Sequence, residues 1–167
     1  MADYDLAYKK ITELPTAVGV PVTGDYHIRY DASQDGAVKI DAAVVEIVTT
    51  TNVIAAAETG KTYILNSADA FVTTLPLVEA GLHFTFYAGA TQVTGGNHTI
   101  VINAANDNTI FGDYNVAGAT VPASAEGSIN WVADTMLPGD KVEIFCDGTN
   151  WYISGSAAAS GAVTFTT

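Results

Sequence analysis

The chain has 167 residues, of which 49% are hydrophobic and only 14% are charged, and its formal net charge is −12. So large a hydrophobic fraction argues against wholesale disorder, and the shortage of Lys and Arg disfavours DNA or RNA as a partner, because phosphate binding requires clustered bases. No apolar run approaches the roughly 20 residues that span a bilayer, so no membrane partner is expected either. The apolar surface that so few charges leave uncovered favours self-association.

Residues 1–46 are predicted to form an extended N-terminal arm. Residues 6–14 fit either two turns of helix or an extended segment, and the prolines and glycines between positions 15 and 24 stop a helix. Residues 27–30 and 38–41 then alternate apolar with polar side chains around a turn that contains Asp35-Gly36, which predicts a small β-hairpin. Because two short strands are not stable alone, this arm is expected to dock on a partner.

Residues 47–167 are predicted to form a jelly-roll-like β-sandwich, so the fold class is all-β. Short segments rich in Val, Ile, Thr, Phe and Tyr follow one another at spacings of about 8–12 residues, with turn residues between them. No internal repeat is visible, so a solenoid or propeller is not expected. The aromatic residues predicted to pack in the core are Trp131, Phe145 and Trp151. The predicted strands are 44–50, 61–65, 71–75, 82–87, 99–102, 109–111, 129–132, 142–146, 151–154 and 163–166.

Residues able to carry chemistry are scattered along the chain. His27, His83 and His98 lack the partners and spacing of a catalytic or metal motif. Cys146 is the one cysteine of the sequence, and in its apolar run a buried hydrophobe is expected. Residues 103–108 offer oxygen ligands without the spacing of a calcium loop, and most acidic residues fall in turns. We therefore expect no enzyme, no cofactor and no metal site, while an aromatic-lined sugar groove is the alternative to core packing for some aromatic residues.

Two groups of motifs resemble parts of known virion proteins. The Lys-Ile-Thr-Glu-Leu-Pro of residues 10–15, followed by residues 25–33 and 38–40, resembles the N-terminal segment of phage structural proteins. Residues 81–86 and the Asp-Gly-Thr-Asn-Trp that opens residues 147–155 look like the β-domains of marine and cyanophage virion proteins. The resemblance implies a capsid decoration (cement) protein, made in the host cytoplasm and bound as a homotrimer to the major capsid protein on the outer surface of the virion. The alternative is a head-fibre or tail-fibre component that recognises host surface carbohydrate.

Under this interpretation the arm carries the residues that contact the capsid. Four of the six basic residues of the chain lie in it, where they suit an acidic partner, and an extended strand can add to an exposed sheet edge through main-chain hydrogen bonds. The predicted capsid-binding residues are Lys9, Lys10, Ile11, Leu14, Pro15, Tyr26, Ile28, Arg29, Tyr30 and Lys39.

Overall fold

The computed structural model describes residues 28–30, 38–40, 45–105 and 109–167. The chain separates into two compact units, Met1–Asp41 and Ala42–Thr167. In the first unit, β1 (Ile28–Tyr30) pairs antiparallel with β2 (Val38–Ile40), as predicted for the hairpin. The other arm predictions lie outside the described residues. The predicted boundary after residue 46 would divide β3, which begins at Val45, and the second unit starts earlier, at Ala42.

The second unit is all-β, which confirms the predicted fold class. The one helical piece in its described part is a single 3-10 turn, Ala56–Glu58, and no described helix is long and apolar enough to cross a membrane. Its strands are β3 (Val45–Val48), β4 (Asn52–Val53), β5 (Thr62–Leu65), β6 (Phe71–Thr74), β7 (His83–Ala88), β8 (His98–Val101), β9 (Ile110–Val116), β10 (Ala119–Glu126), β11 (Ser128–Trp131), β12 (Lys141–Cys146), β13 (Trp151–Ala157) and β14 (Val163–Thr166).

These strands form two sheets. The larger has the order β10-β9-β13-β12-β7-β5-β3 and the smaller the order β14-β11-β8-β6-β4. From β3 to β8, successive strands alternate between the sheets, and within each sheet they pair in parallel. Residues 45–101 therefore wind around the core, passing from one sheet to the other at each turn. The second half of the unit adds antiparallel pairs, with one parallel pair between β9 and β13.

This winding differs from the predicted arrangement. A jelly roll is built from antiparallel strands, so the two-sheet all-β part of that prediction is confirmed and its antiparallel pairing is not found in residues 45–101. The register advances 17 residues from Val45 to Thr62 and 23 residues from Thr62 to Thr85, so the winding leaves no constant sequence period.

The core lies between the sheets and follows the period of two expected of a strand. Trp131 and Trp151 are fully buried there, and the free Cys146 is buried as expected. Phe145 is 54% exposed, so its predicted place in the core is wrong. The reason is that successive side chains of a strand point to opposite faces of the sheet. Ile144 and Cys146 face inward, so Phe145 between them must face outward.

Candidate functional site

The described residues place their two histidines on different sheets. No group of three or more His, Cys, Asp or Glu within them is placed to hold a metal ion. His83 lies exposed on β7 of the larger sheet, whereas His98 is buried on β8 of the smaller one, where its Nε2–H is 3.2 Å from the backbone oxygen of Asp69 and donates to it. His27 and residues 106–108 lie outside the described residues.

Two shallow clefts, of about 420 and 460 Å³, open in the second unit. The first lies between β10 and β14, and Glu126 is the one carboxylate among its lining residues. The second contains Asp140, whose two side-chain oxygens accept the backbone N–H groups of Leu137 at 2.8 Å and Ala158 at 2.9 Å. Neither cleft is therefore lined by the pair of carboxylates that glycoside hydrolysis usually requires.

The first distinctive surface is formed by β3 and β4, each of which is the last strand of its sheet. We call it the apolar edge: Val45 and Ile47 of β3, with Val53 of β4, are 52%, 63% and 70% exposed. β3 and β4 are terminal in their sheets, so each has one row of N–H and C=O groups that no described strand covers. Neither strand contains the Lys or Pro that commonly blunts such edges, whereas β10, at the other end of the larger sheet, carries the exposed Pro122.

A small ion cluster borders the apolar edge. Lys61 Nζ lies 2.7 Å from Glu58 Oε1 and 3.0 Å from Glu46 Oε2. Its hydrogen bond to Glu58 raises the pKa of Lys61 despite partial burial of the ammonium group. The charge of Lys61 is thus matched by two carboxylates, and the edge presents apolar side chains beside a weakly negative cluster.

The second distinctive surface is a row of rings on the outer face of the larger sheet. We call it the aromatic row: Phe111, Tyr152, Phe145 and His83, which are register partners on the adjacent strands β9, β13, β12 and β7. The Phe145 and Tyr152 rings are offset-stacked, with centroids 5.3 Å apart and planes 20° from parallel. Phe111 continues the row at 6.2 Å from Tyr152. Three aromatic rings thus touch in sequence on a face turned away from the core.

The turn between β12 and β13 fixes one side of this row. Tyr152 Oη donates to Asp147 Oδ2 at 3.1 Å, while Asp147 Oδ1 accepts the backbone N–H groups of Asn150 at 2.8 Å and Thr149 at 2.7 Å. The backbone hydrogen bonds from Asn150 and Thr149 lower the pKa of Asp147, and the bond to Asp147 raises the pKa of Tyr152. At neutral pH the carboxylate is therefore ionised and the phenol keeps its proton.

The imidazole of His83, at the β7 end of the row, is also oriented by hydrogen bonds. His83 Nδ1 lies 3.2 Å from the backbone oxygen of Gly81 and 3.3 Å from Thr59 Oγ1, and the backbone N–H of His83 donates to the same hydroxyl at 3.0 Å. Tyr152 within the row and His83 at its β7 end are thus oriented by hydrogen bonds before any partner arrives.

The predicted site residues have different outcomes. Of the ten arm residues, Ile28, Arg29, Tyr30 and Lys39 lie in the β1–β2 hairpin, where Arg29 is the register partner of Lys39. Lys9, Lys10, Ile11, Leu14, Pro15 and Tyr26 lie outside the described residues. Sequence reasoning did not find either surface. The signal available in the sequence was the alternation of inward and outward positions along a strand. Phe145 and Tyr152 each alternate with the buried residues of their strands, which places both rings on the outer face.

Comparison with known proteins gives no relative to guide the assignment. No family model matches the chain, and neither a curated protein nor a solved structure matches it significantly. Function is therefore inferred from the two surfaces, the distribution of charge and the sequence motifs.

Proposed function

We propose that this protein is a non-catalytic structural protein that decorates and stabilises a bacteriophage capsid, as a homotrimer bound to the major capsid protein on the outer surface of the virion. The observation that carries the proposal is the apolar edge, where three β-branched side chains are each more than half exposed on strands that end both sheets. Such an edge favours association, because a partner can bury the side chains and pair with the main chain at once.

The physical gain at the apolar edge comes from two sources. Covering exposed Val and Ile side chains removes apolar area from water, and this stabilises the contact by roughly 25 cal/mol for each Å² of apolar area buried. A strand that adds beside β3 or β4 also satisfies backbone groups that otherwise bond to water, and this gives the contact its register. A neighbouring copy or a capsid subunit can supply such a strand.

The distribution of charge supports the same proposal. In the second unit, Lys61 is paired with Glu46 and Glu58, and Lys141 Nζ lies 2.9 Å from Glu143. These are the two bases of the chain outside residues 1–46. An acidic exterior keeps closely packed copies soluble, while the basic residues of the arm suit an acidic shell.

The ten predicted arm residues, from Lys9 to Lys39, are proposed as the capsid contact. The hairpin register sets Arg29 opposite Lys39. An acidic partner would suit these basic residues. The motifs at residues 10–15 and 147–155 add their resemblance to phage virion proteins. The proposal needs no jelly-roll topology, because the apolar edge depends on the exposed side chains of the terminal strands β3 and β4.

The test combines light scattering with binding to capsid shells that lack decoration. We expect a trimer at micromolar concentration and co-sedimentation with the shells. Replacing both Ile47 and Val53 by Lys should weaken trimer formation or shell occupancy by about tenfold or more, because a charge on an edge strand opposes pairing. Leu137→Lys is the control, since Leu137 is 41% exposed on the loop between β11 and β12 and belongs to neither edge strand. A wild-type monomer that does not bind shells would overturn the proposal.

A further inference from the structure

We propose that the aromatic row is a binding surface for a neutral oligosaccharide. The inference concerns the outer face of the larger sheet and does not depend on the capsid assignment. It starts from an energetic anomaly: Phe145 exposes 54% of its surface on a regular strand, and its neighbours across the sheet are also rings. Strands that need only solubility place polar residues on their outer face, as β12 does at Lys141 and Glu143.

The dimensions of the row suit an oligosaccharide. Four adjacent strands about 4.8 Å apart give a row roughly 14 Å long. The C–H face of a pyranose ring packs on the electron-rich face of an aromatic ring, and the offset stacking of Phe145 on Tyr152 leaves part of each ring available in a stepped surface. A sugar chain lying across the strands would meet Phe111, Tyr152 and Phe145 in turn.

Polar groups beside Tyr152 and at the His83 end of the row can orient the sugar hydroxyls. The carboxylate of Asp147 is exposed and ionised, and a carboxylate has about four acceptor positions, so Oδ2 can accept a sugar hydroxyl as well as the Tyr152 phenol. The His83 ring, held by Gly81 and Thr59, offers its other nitrogen at the opposite end. Because these groups are already fixed, binding would cost little ordering entropy.

The exposed carboxylates around the aromatic row favour a neutral ligand over an anionic one. Asp113, Asp147 and Glu143 are exposed on or beside this face, and the one base nearby, Lys141, is paired with Glu143. An anionic polysaccharide would be repelled by these carboxylates, as would the same face of a second copy. A neutral sugar chain offers apolar C–H faces for the rings and hydroxyl donors for the carboxylates, so it is the occupant that fits both features.

The test is a titration of ¹⁵N-labelled full-length protein, followed by NMR, with three neutral probes (cellohexaose, laminarihexaose and N-acetylchitohexaose) and one anionic probe, polygalacturonate. We expect at least one neutral probe to bind with a Kd of about 1 mM or tighter and to shift amide signals of β9, β12 and β13. Phe145→Ala and Tyr152→Ala should each raise that Kd about tenfold or more. Tyr152→Phe, which keeps the ring and loses the hydroxyl, should have a smaller effect.

Leu137→Ala is the matched control, because it removes an exposed apolar side chain outside the row. The amide spectrum of each variant shows whether it remains folded, so loss of binding is separated from loss of structure. The inference would be overturned if no neutral probe binds at about 10 mM, if the ring variants bind as tightly as wild type, or if polygalacturonate binds equally well. If Phe145→Ala instead dissociates an oligomer in light scattering, the row is a protein interface and the inference is wrong.

Discussion

His98 shows how one buried side chain can make this fold sensitive to pH. Its ring has no exposed surface, packs against Phe71 with centroids 4.1 Å apart and planes tilted by 31°, and donates one hydrogen bond to the backbone oxygen of Asp69. Burial lowers the pKa of His98 below its ordinary value of 6.5. Above pH 6.5 the imidazole is neutral in both the folded and unfolded states. Below it the unfolded state binds the proton first, so stability falls until the pH passes the lowered pKa.

We therefore predict that the free energy of unfolding decreases between pH 7.5 and 5.5, and that His98→Gln flattens part of this decrease. The variant itself should be less stable by roughly 1–3 kcal/mol at pH 7.5, because the buried ring and its packing are lost. Urea unfolding at several pH values measures both effects. Phe71→Leu is the control: it weakens the same packing without removing a titrating group, so its curve should run parallel to wild type. Equal slopes for His98→Gln and wild type would contradict the assignment.

At the scale of single residues, alternation predicts more than hydrophobicity does. Trp151 and Ile153 share the buried face of β13 and Tyr152 lies on the other, as the period of two requires. Size and hydrophobicity alone place Phe145 in the core, although Ile144 and Cys146 beside it already occupy the inward positions. The side chain that sequence reasoning misplaces belongs to the aromatic row, which fits the expectation that departures from pattern mark functional surfaces.

At the scale of elements, strand positions follow from composition and turn chemistry, and strand pairing does not. Segments with clear β-propensity are located correctly, including β12 and β13 around the Asp147-Gly148 turn. β10 escapes prediction because it is mostly exposed, contains Pro122 and is bordered by the short Ala117-Gly118 turn. Parallel pairing between β3, β5 and β7 is non-local, so nothing in a short window of sequence indicates which strands become neighbours.

The parallel pair of β9 and β13 depends on one close backbone approach. Gly112 has φ +135°, and a Cβ built on it would overlap the backbone carbonyl oxygen of Ile153 on β13. An L side chain there suffers both the backbone strain and the overlap, and backbone atoms inside a sheet cannot move aside cheaply. The larger sheet joins its outer hairpin, β9 and β10, to β13 at this approach.

We predict that Gly112→Ala destabilises the protein by roughly 3 kcal/mol or more, from left-handed strain and overpacking together. Gly118→Ala separates the two contributions, because Gly118 also has positive φ, +85°, but a Cβ added to it would meet nothing within 4 Å. That variant should lose only about 1–2 kcal/mol. Denaturant unfolding of both variants measures the difference. A Gly112→Ala cost no larger than that of Gly118→Ala would show that β9 and β13 can separate without penalty.

At the scale of the whole molecule, the second unit has the core of an independent domain. One continuous hydrophobic cluster runs from Val48 to Val163 and includes side chains from both sheets. Among the residues whose burial the structure describes, every member of that cluster belongs to the unit Ala42–Thr167. A domain with its own core is expected to fold by itself, so stability and capsid binding can be separated experimentally.

The last prediction makes that separation. Deleting residues 2–41 should leave a folded β-domain whose thermal unfolding midpoint stays within a few degrees of the full chain, because the buried cluster of the described residues is kept whole. The same deletion removes four of the six basic residues and every proposed capsid-contact residue, so occupancy of undecorated shells should fall about tenfold or more.

A full-length variant with Lys9, Lys10, Arg29 and Lys39 replaced by Glu tests whether charge accounts for that loss, since it keeps the length and the apolar residues of the arm. If the arm contacts an acidic shell, this variant should bind as poorly as the deletion, and wild-type binding should weaken as salt rises and screens the contact. Co-sedimentation with shells at low and high salt measures both effects. Shell occupancy by the deletion variant equal to that of the full chain would assign capsid binding to the β-domain instead, and the apolar edge would then be the surface to mutate.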